Sequence, residues 1–193
     1  DVRNIKEIYN DKKSLNNNVV IQYAPANLVK ENIEYSSNLE FYPLSGVSFS
    51  ETIMYCNELG YYPFYKSDRY GFNNPDSEWD KKEIEFLLLG DSLTHGSCVN
   101  RPYDLASVLR NLTNKPVLNL GQGGTGPLIQ LATLKEYIRP NVKNIIWLFS
   151  EANDLGDLNY EMNSHFLKSY LDLKNYSQNL KDKQKDINIY VKK

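Results

Sequence analysis

Histidine, cysteine, methionine and tryptophan are scarce in this chain, with two of each in 193 residues. Two cysteines cannot complete a structural zinc site by themselves, so Cys56 and Cys98 are left as one disulfide or as two buried thiols. No apolar run approaches the ~18 residues a membrane span needs. Charge of one sign is missing as well: 22 Lys and Arg stand against 24 Asp and Glu, a formal net charge of −2. Such a balance has no electrostatic footprint for nucleic acid or an anionic membrane. The lysines gather only in the C-terminal KDKQKD and VKK, which read as a solvated helix face. There is no internal repeat and no visible leader. The chain opens on Asp1 rather than Met, which reads as a processed form or a fragment, so its compartment is not legible from that end.

What is present suffices for a core. Hydrophobic residues make up 41 % of the chain, enough for one α/β domain with an extension. Residues 1–80 show no alternation of strand and helix. Runs such as NVVIQYA (18–24) and LEFYPL (39–44) are broken by Pro25, Pro43, Gly46, Gly60, Pro63 and Gly71. The expectation is an irregular, strand-poor extension, with one helical piece around 49–59, packed on a main domain of residues 81–193. SDRYGFNNP (67–75) is a turn-rich approach to that domain.

From residue 84 the rhythm is regular. Strands are expected at 84–89, 116–120 and 144–149, with helices near 102–112 and 127–138. A long helical stretch is expected from about 160, its apolar face carried by Phe166, Leu167, Tyr170, Leu171, Leu173 and Leu180. Residues 187–191 fit a strand or a continuing helix equally. Strands separated by helical stretches of this length imply right-handed crossovers and a parallel sheet.

Three blocks fall at the ends of those strands. FLLLGDSLTHG (86–96) runs a buried strand into Gly90, Asp91 and Ser92 at the start of a helix. A hydroxyl there sits at the sheet edge where ligands collect, beside backbone N–H groups able to hold an oxyanion. The same residue types also serve simply as helix N-caps. PVLNLGQGGTG (116–126) runs a second strand into a glycine-rich turn, and NIIWLFSEAND (144–154) ends a third on Asn153-Asp154.

Together the three blocks resemble the SGNH, or GDSL-type, hydrolase family, over residues 84–160. The resemblance implies a three-layer α/β/α, flavodoxin-like parallel sheet. It also implies serine-dependent ester hydrolysis or O-acyl transfer through an acyl-serine intermediate, without metal or organic cofactor. Carried over residue by residue, Ser92 is the nucleophile, and its own N–H, the Gly124 N–H and the Asn153 side chain form the oxyanion hole. Gly124 stands five after Asn119, the family spacing, with Gly123 the alternative register. Asp91 and Asp154 brace their turns, and His95 is a supporting residue near the pocket. The family's Gly-x-Asn-Asp is replaced here by Glu151-Ala152-Asn153-Asp154. The SDRYGFNNP segment resembles one that precedes the Gly-Asp-Ser strand in bacterial members, where it lies against the sheet near the active-site edge. Together with the extension it points to small-molecule or glycan esters as substrate and to the periplasm or cell envelope.

One requirement is unmet. The family takes its base from an Asp-x-x-His block, and neither histidine fits: His165 has Met162 three residues before it, and His95 lies one turn from Ser92. The expectation is a chain that ends before that block; the alternative is a non-catalytic binding or interaction module. A second rival is Gly121-Gln-Gly123-Gly124-Thr-Gly126, a literal G-x-G-x-x-G opening a helix as a dinucleotide site would. Its nearest acid at a strand end, Glu151, lies beyond the expected ~20 positions. Oligomeric state is not encoded in any of these features.

Overall fold

The computed structural model describes residues 3–36 and 39–192. The first part holds α1 (Ile5–Leu15), β1 (Val19–Ile21), α2 (Asn27–Lys30), α3 (Ile33–Ser36), β2 (Glu51–Ile53), β3 (Phe64–Lys66) and a 3-10 turn at Asp76–Asp80. The second holds β4 (Ile84–Leu89), α4 (Ser92–His95), α5 (Leu105–Thr113), β5 (Val117–Asn119) and α6 (Pro127–Tyr137). It continues with β6 (Val142–Trp147), α7 (Asp154–Glu161), α8 (His165–Asp172) and α9 (Gln184–Val191).

The fold is mixed α/β with two small sheets. In the second, β4 lies between β5 and β6 and pairs with both in parallel, Leu88 standing opposite Asn119 on one side and Ile146 on the other. The four apolar residues 86–89 are a strand because it is covered on both faces. Leu88 packs with Ala106 and Val117 under α5, whereas Leu87 and Leu89 join Leu118, Ile129 and Ala132 under α6. β6 is the outer strand, and Ile145, Ile146 and Trp147 are exposed on it. Among the described residues no helix is long and apolar enough to cross a membrane.

The first eighty residues differ from the expected strand-poor extension. They form a three-stranded sheet, β1-β2-β3, with β1 parallel to β2 and β3 antiparallel to it. The helical piece expected around 49–59 is instead the strand β2. The pairing that settles this is non-local, Val19 with Glu51 and Ile53 with Phe64, and no local periodicity records it. Ala26, Leu28, Tyr42, Leu44 and Phe72 share one continuous core with Leu87, Leu118 and Ile129. The extension and the parallel sheet therefore bury a common interior.

The long C-terminal helix is also divided. α8 ends at Asp172, and α9 resumes only at Gln184. Between them the Glu136 carboxylate accepts hydrogen bonds from Ser177 Oγ (3.1 Å), the Gln178 N–H (2.6 Å) and the Leu180 N–H (2.9 Å). These satisfy backbone donors that a helix would have bonded internally. Residues 187–191, open between strand and helix in sequence, lie within α9.

Candidate active site

β4 ends on Gly90, whose φ of +148° is a conformation other residues rarely adopt. A side chain there would also meet Thr94 Oγ1 at 2.2 Å and the Leu148 carbonyl at 2.8 Å. This turn delivers Asp91 and Ser92 to the start of α4. Asp91 caps the helix, its Oδ1 accepting the Leu93 N–H at 3.3 Å. Ser92 stays partly exposed at the carboxyl end of the central strand. Among the described residues its hydroxyl has no hydrogen-bond partner.

Asn153 arrives from the end of β6. Its Nδ2 donates to Asp91 Oδ2 at 3.2 Å and to Asp157 Oδ2 at 3.3 Å, while its Oδ1 accepts from Ser150 Oγ at 2.6 Å. The first and third blocks thus meet at one sheet edge. Asp154 is fully buried and accepts the Ser150 N–H at 2.8 Å; burial, with Asp91 and Asp157 nearby, raises its pKa. Both N–H groups of Asn153 face carboxylates, so an oxyanion competes with Asp91 and Asp157 for the same donors.

The second block is held by Asn119. Its Nδ2 donates to the Thr94 carbonyl at 2.6 Å and its Oδ1 accepts the Gly121 N–H at 2.8 Å, tying the loop to α4. Beyond it the loop splits. Gly123 borders the cavity beside Ser92, whereas Gly124, with φ +73°, turns its carbonyl to Lys30 Nζ at 3.1 Å. Lys30 also pairs with Asp157 at 2.7 Å, so the extension is anchored to the second block and to α7, the helix that follows the third.

SDRYGFNNP lies against these loops. Asn74 pairs with the backbone of Asn119, accepting its N–H and donating to its carbonyl, each at 2.8 Å. Asn73 Nδ2 donates to the His95 carbonyl at 2.9 Å. The segment is centred on buried Asp68, which accepts from Trp79 Nε1, Asn74 Nδ2 and the N–H groups of Tyr70 and Phe72 at 2.7–3.0 Å.

Among the described residues neither histidine is hydrogen-bonded to Ser92. His95 is fully buried, its Nε2 at 3.3 Å from Tyr65 Oη and its Nδ1 at 3.2 Å from Ser97 Oγ. It is not among the residues lining the cavity. Burial lowers its pKa to about 4. A histidine held neutral in the fold and titrating near 6.5 when unfolded contributes stability above pH 6.5 that is lost as pH falls toward 4. Between pH 7.5 and 5 the wild type should lose about 2 kcal/mol more than His95→Gln, read from urea midpoints at the two pH values. Equal losses would mean that His95 is not the group responsible. His165 is exposed and pairs through Nδ1 with Glu34 Oε1 at 2.8 Å.

The glycine-rich turn does not present a phosphate site. Glu161 is buried at the N-terminus of α6, accepting the N–H groups of Gly126 (2.6 Å), Leu128 (2.9 Å) and Ile129 (3.3 Å). These are the donors a pyrophosphate would need. The chain's own carboxylate occupies the place, and burial raises its pKa to about 7.

The cavity at Ser92 has a volume of about 650 Å³, and half its wall comes from the extension: Gln22, Ala24, Tyr55, Cys56, Asn57 and Glu58. A disulfide joins Cys56 to Cys98, with Cα atoms 5.0 Å apart, and both cysteines border the cavity. Of the two readings open in sequence, the bridge is the one present. Gln22 and Tyr55 carry no motif, and only the first sheet's position against α4 brings them to Ser92.

Comparison with protein-family models, with curated proteins and with solved structures finds no match for this chain.

Proposed function

We propose that this chain is an SGNH-type ester-processing protein in which Ser92 is the nucleophile. The observation that carries the reading is the 3.2 Å hydrogen bond between Asn153 and Asp91, which joins the ends of β6 and β4 beside Ser92. The strand order β5-β4-β6 supports it further. Taken in chain order it is second-first-third, the start of a flavodoxin-like sheet, and the gap between the first and third strands is the switch point where such sheets bind ligands.

In the proposed reaction Ser92 Oγ attacks the ester carbonyl, its proton passes to a base, and the tetrahedral oxyanion is held by the Ser92 N–H, a glycine N–H of the 123–124 loop and Asn153. The alkoxide leaves with a proton, and water or a sugar hydroxyl takes the acyl group from the serine. With His95 held by Tyr65 and Ser97 and His165 paired with Glu34, solvent is the base in this proposal, so acylation is slow. The same placement favours a second reading, a binding module that does not turn its ligand over.

Incubation with p-nitrophenyl acetate separates the two. The expected result is slow turnover, accelerated by added imidazole, with an acetyl group found on Ser92 by peptide mass spectrometry. Asn153→Ala should lower the imidazole-supported rate about 10²-fold or more. Ser92→Ala should remove the modification. Acetylation elsewhere only, or a rate unchanged in Ser92→Ala, overturns the catalytic reading and leaves the binding module.

A further inference from the structure

We infer that the serine cavity continues into a glycan-binding cleft built from α1, β1 and α9. A second cavity of about 400 Å³ lies between these elements, bordered by Tyr9, Lys13, Tyr23, Asn27 and Tyr190. Gln22, Ala24 and Tyr55 border both this cavity and the one holding Ser92. The two therefore form one track that crosses from the nucleophile over the first sheet to the C-terminal helix.

The crossing point is built. Gln22 is only 7 % exposed, and a Cβ at Gly123 would stand 3.0 Å from its Nε2, so glycine there lets the amide lie against the second-block loop. Tyr55 is 57 % exposed on the ridge between the cavities, with its ring open to a ligand.

Tyr9, Tyr55 and Tyr190 border the track, aromatic side chains that combine an apolar ring with a polar tip, while Tyr23 closes its wall with its hydroxyl donating to the Pro43 carbonyl at 3.3 Å. Between them stand an amide at Gln22, another at Asn27, and charged ends at Lys13 and Glu31. A pyranose has the complementary surface, apolar C–H faces and a belt of hydroxyls. A long acyl chain has no such belt and would leave these polar groups desolvated without partners. The walls carry Lys13 and Lys192 against Glu31 and Glu58, a balance of charge with no net positive field to hold a polyanion. Each cavity falls within the ~300–1,000 Å³ of small-ligand sites, so the joined track accommodates a chain of sugars rather than one ring. The ligand is thus a neutral oligosaccharide. That its ester end lies at Ser92 rests on the function proposed above; the binding itself does not.

Saturation-transfer NMR on the full chain with maltotetraose, xylotetraose, chitotetraose and, separately, octanoate tests this. At least one tetrasaccharide should bind, at least tenfold more weakly in Tyr55→Ala and in Tyr190→Ala. Tyr55 is exposed, so its variant folds even where Tyr190→Ala does not. Absence of binding by all three sugars, binding indifferent to Tyr55→Ala, or octanoate displacing the bound sugar overturns the inference. Sugar binding without acetylation of Ser92 overturns only the catalytic reading. Acetylation of Ser92 without sugar binding overturns only the cleft.

Discussion

Asp68→Ala should be among the most damaging single substitutions in this chain, costing about 4 kcal/mol. Its carboxylate accepts four hydrogen bonds, from Trp79 Nε1, Asn74 Nδ2 and the Tyr70 and Phe72 N–H groups, and all of these partners but Tyr70 are buried. Each buried donor left without an acceptor costs ~1–3 kcal/mol, and relaxation recovers part of the sum. Asn74 and Trp79 would also be released from their positions against β5 and the core. Thermal unfolding should fall by roughly 10 °C, from ~2–4 °C per kcal/mol for a chain of this size. Asp76→Ala, in the same segment, is the comparison. Asp76 pairs with Arg69 at 2.9 Å with its side chain 35 % exposed, and its loss should cost no more than about 1 kcal/mol. Similar losses in the two variants would show that the buried cluster does not organise the segment.

Replacing Cys56 and Cys98 together by serine should cost about 4 kcal/mol, from loop closure over a sequence separation of 42 residues. The urea midpoint should fall by roughly 2 M at an m-value near 2 kcal/mol/M. Adding dithiothreitol to the wild type should reproduce most of that shift and should leave the double variant unchanged. Both cysteines border the serine cavity, so the bridge holds the 55–58 wall against the turn that follows Ser92. An unchanged midpoint in the double variant would show that the wall is held by packing alone.

The parallel sheet was legible because its signals are local. Phe86–Leu89 is apolar without alternation, as a strand covered on both faces must be, and Gly90 stands at its end where a side chain is excluded. β4 has the expected bounds, and α6 differs by one residue. β6 lies two residues earlier than the apolar pattern suggested, because its pairing with β4 begins at Val142 opposite Ile84. The three blocks were placed at strand ends from sequence, but the order β5-β4-β6 that sets the first beside the third, and with it the Asp91–Asn153 hydrogen bond, is tertiary.

What the sequence by itself determined is therefore the local chemistry: a serine at a strand-to-helix turn, a glycine-rich second turn, an asparagine after the third strand, and the lack of a histidine at the expected spacing. The tertiary structure decided which of these groups have company. It made residues 51–53 a strand by pairing them with residues 19–21, and closed the disulfide. It placed Glu161 on the helix N-terminus that a dinucleotide would need, and buried His95 between Tyr65 and Ser97. It also brought Gln22 and Tyr55 to within one cavity of Ser92. The physical reason is common to all of them. Each is a contact between residues some thirty or more apart in the chain on at least one side, and hydrophobic periodicity reports only which face of an element is buried, not which distant group will cover it.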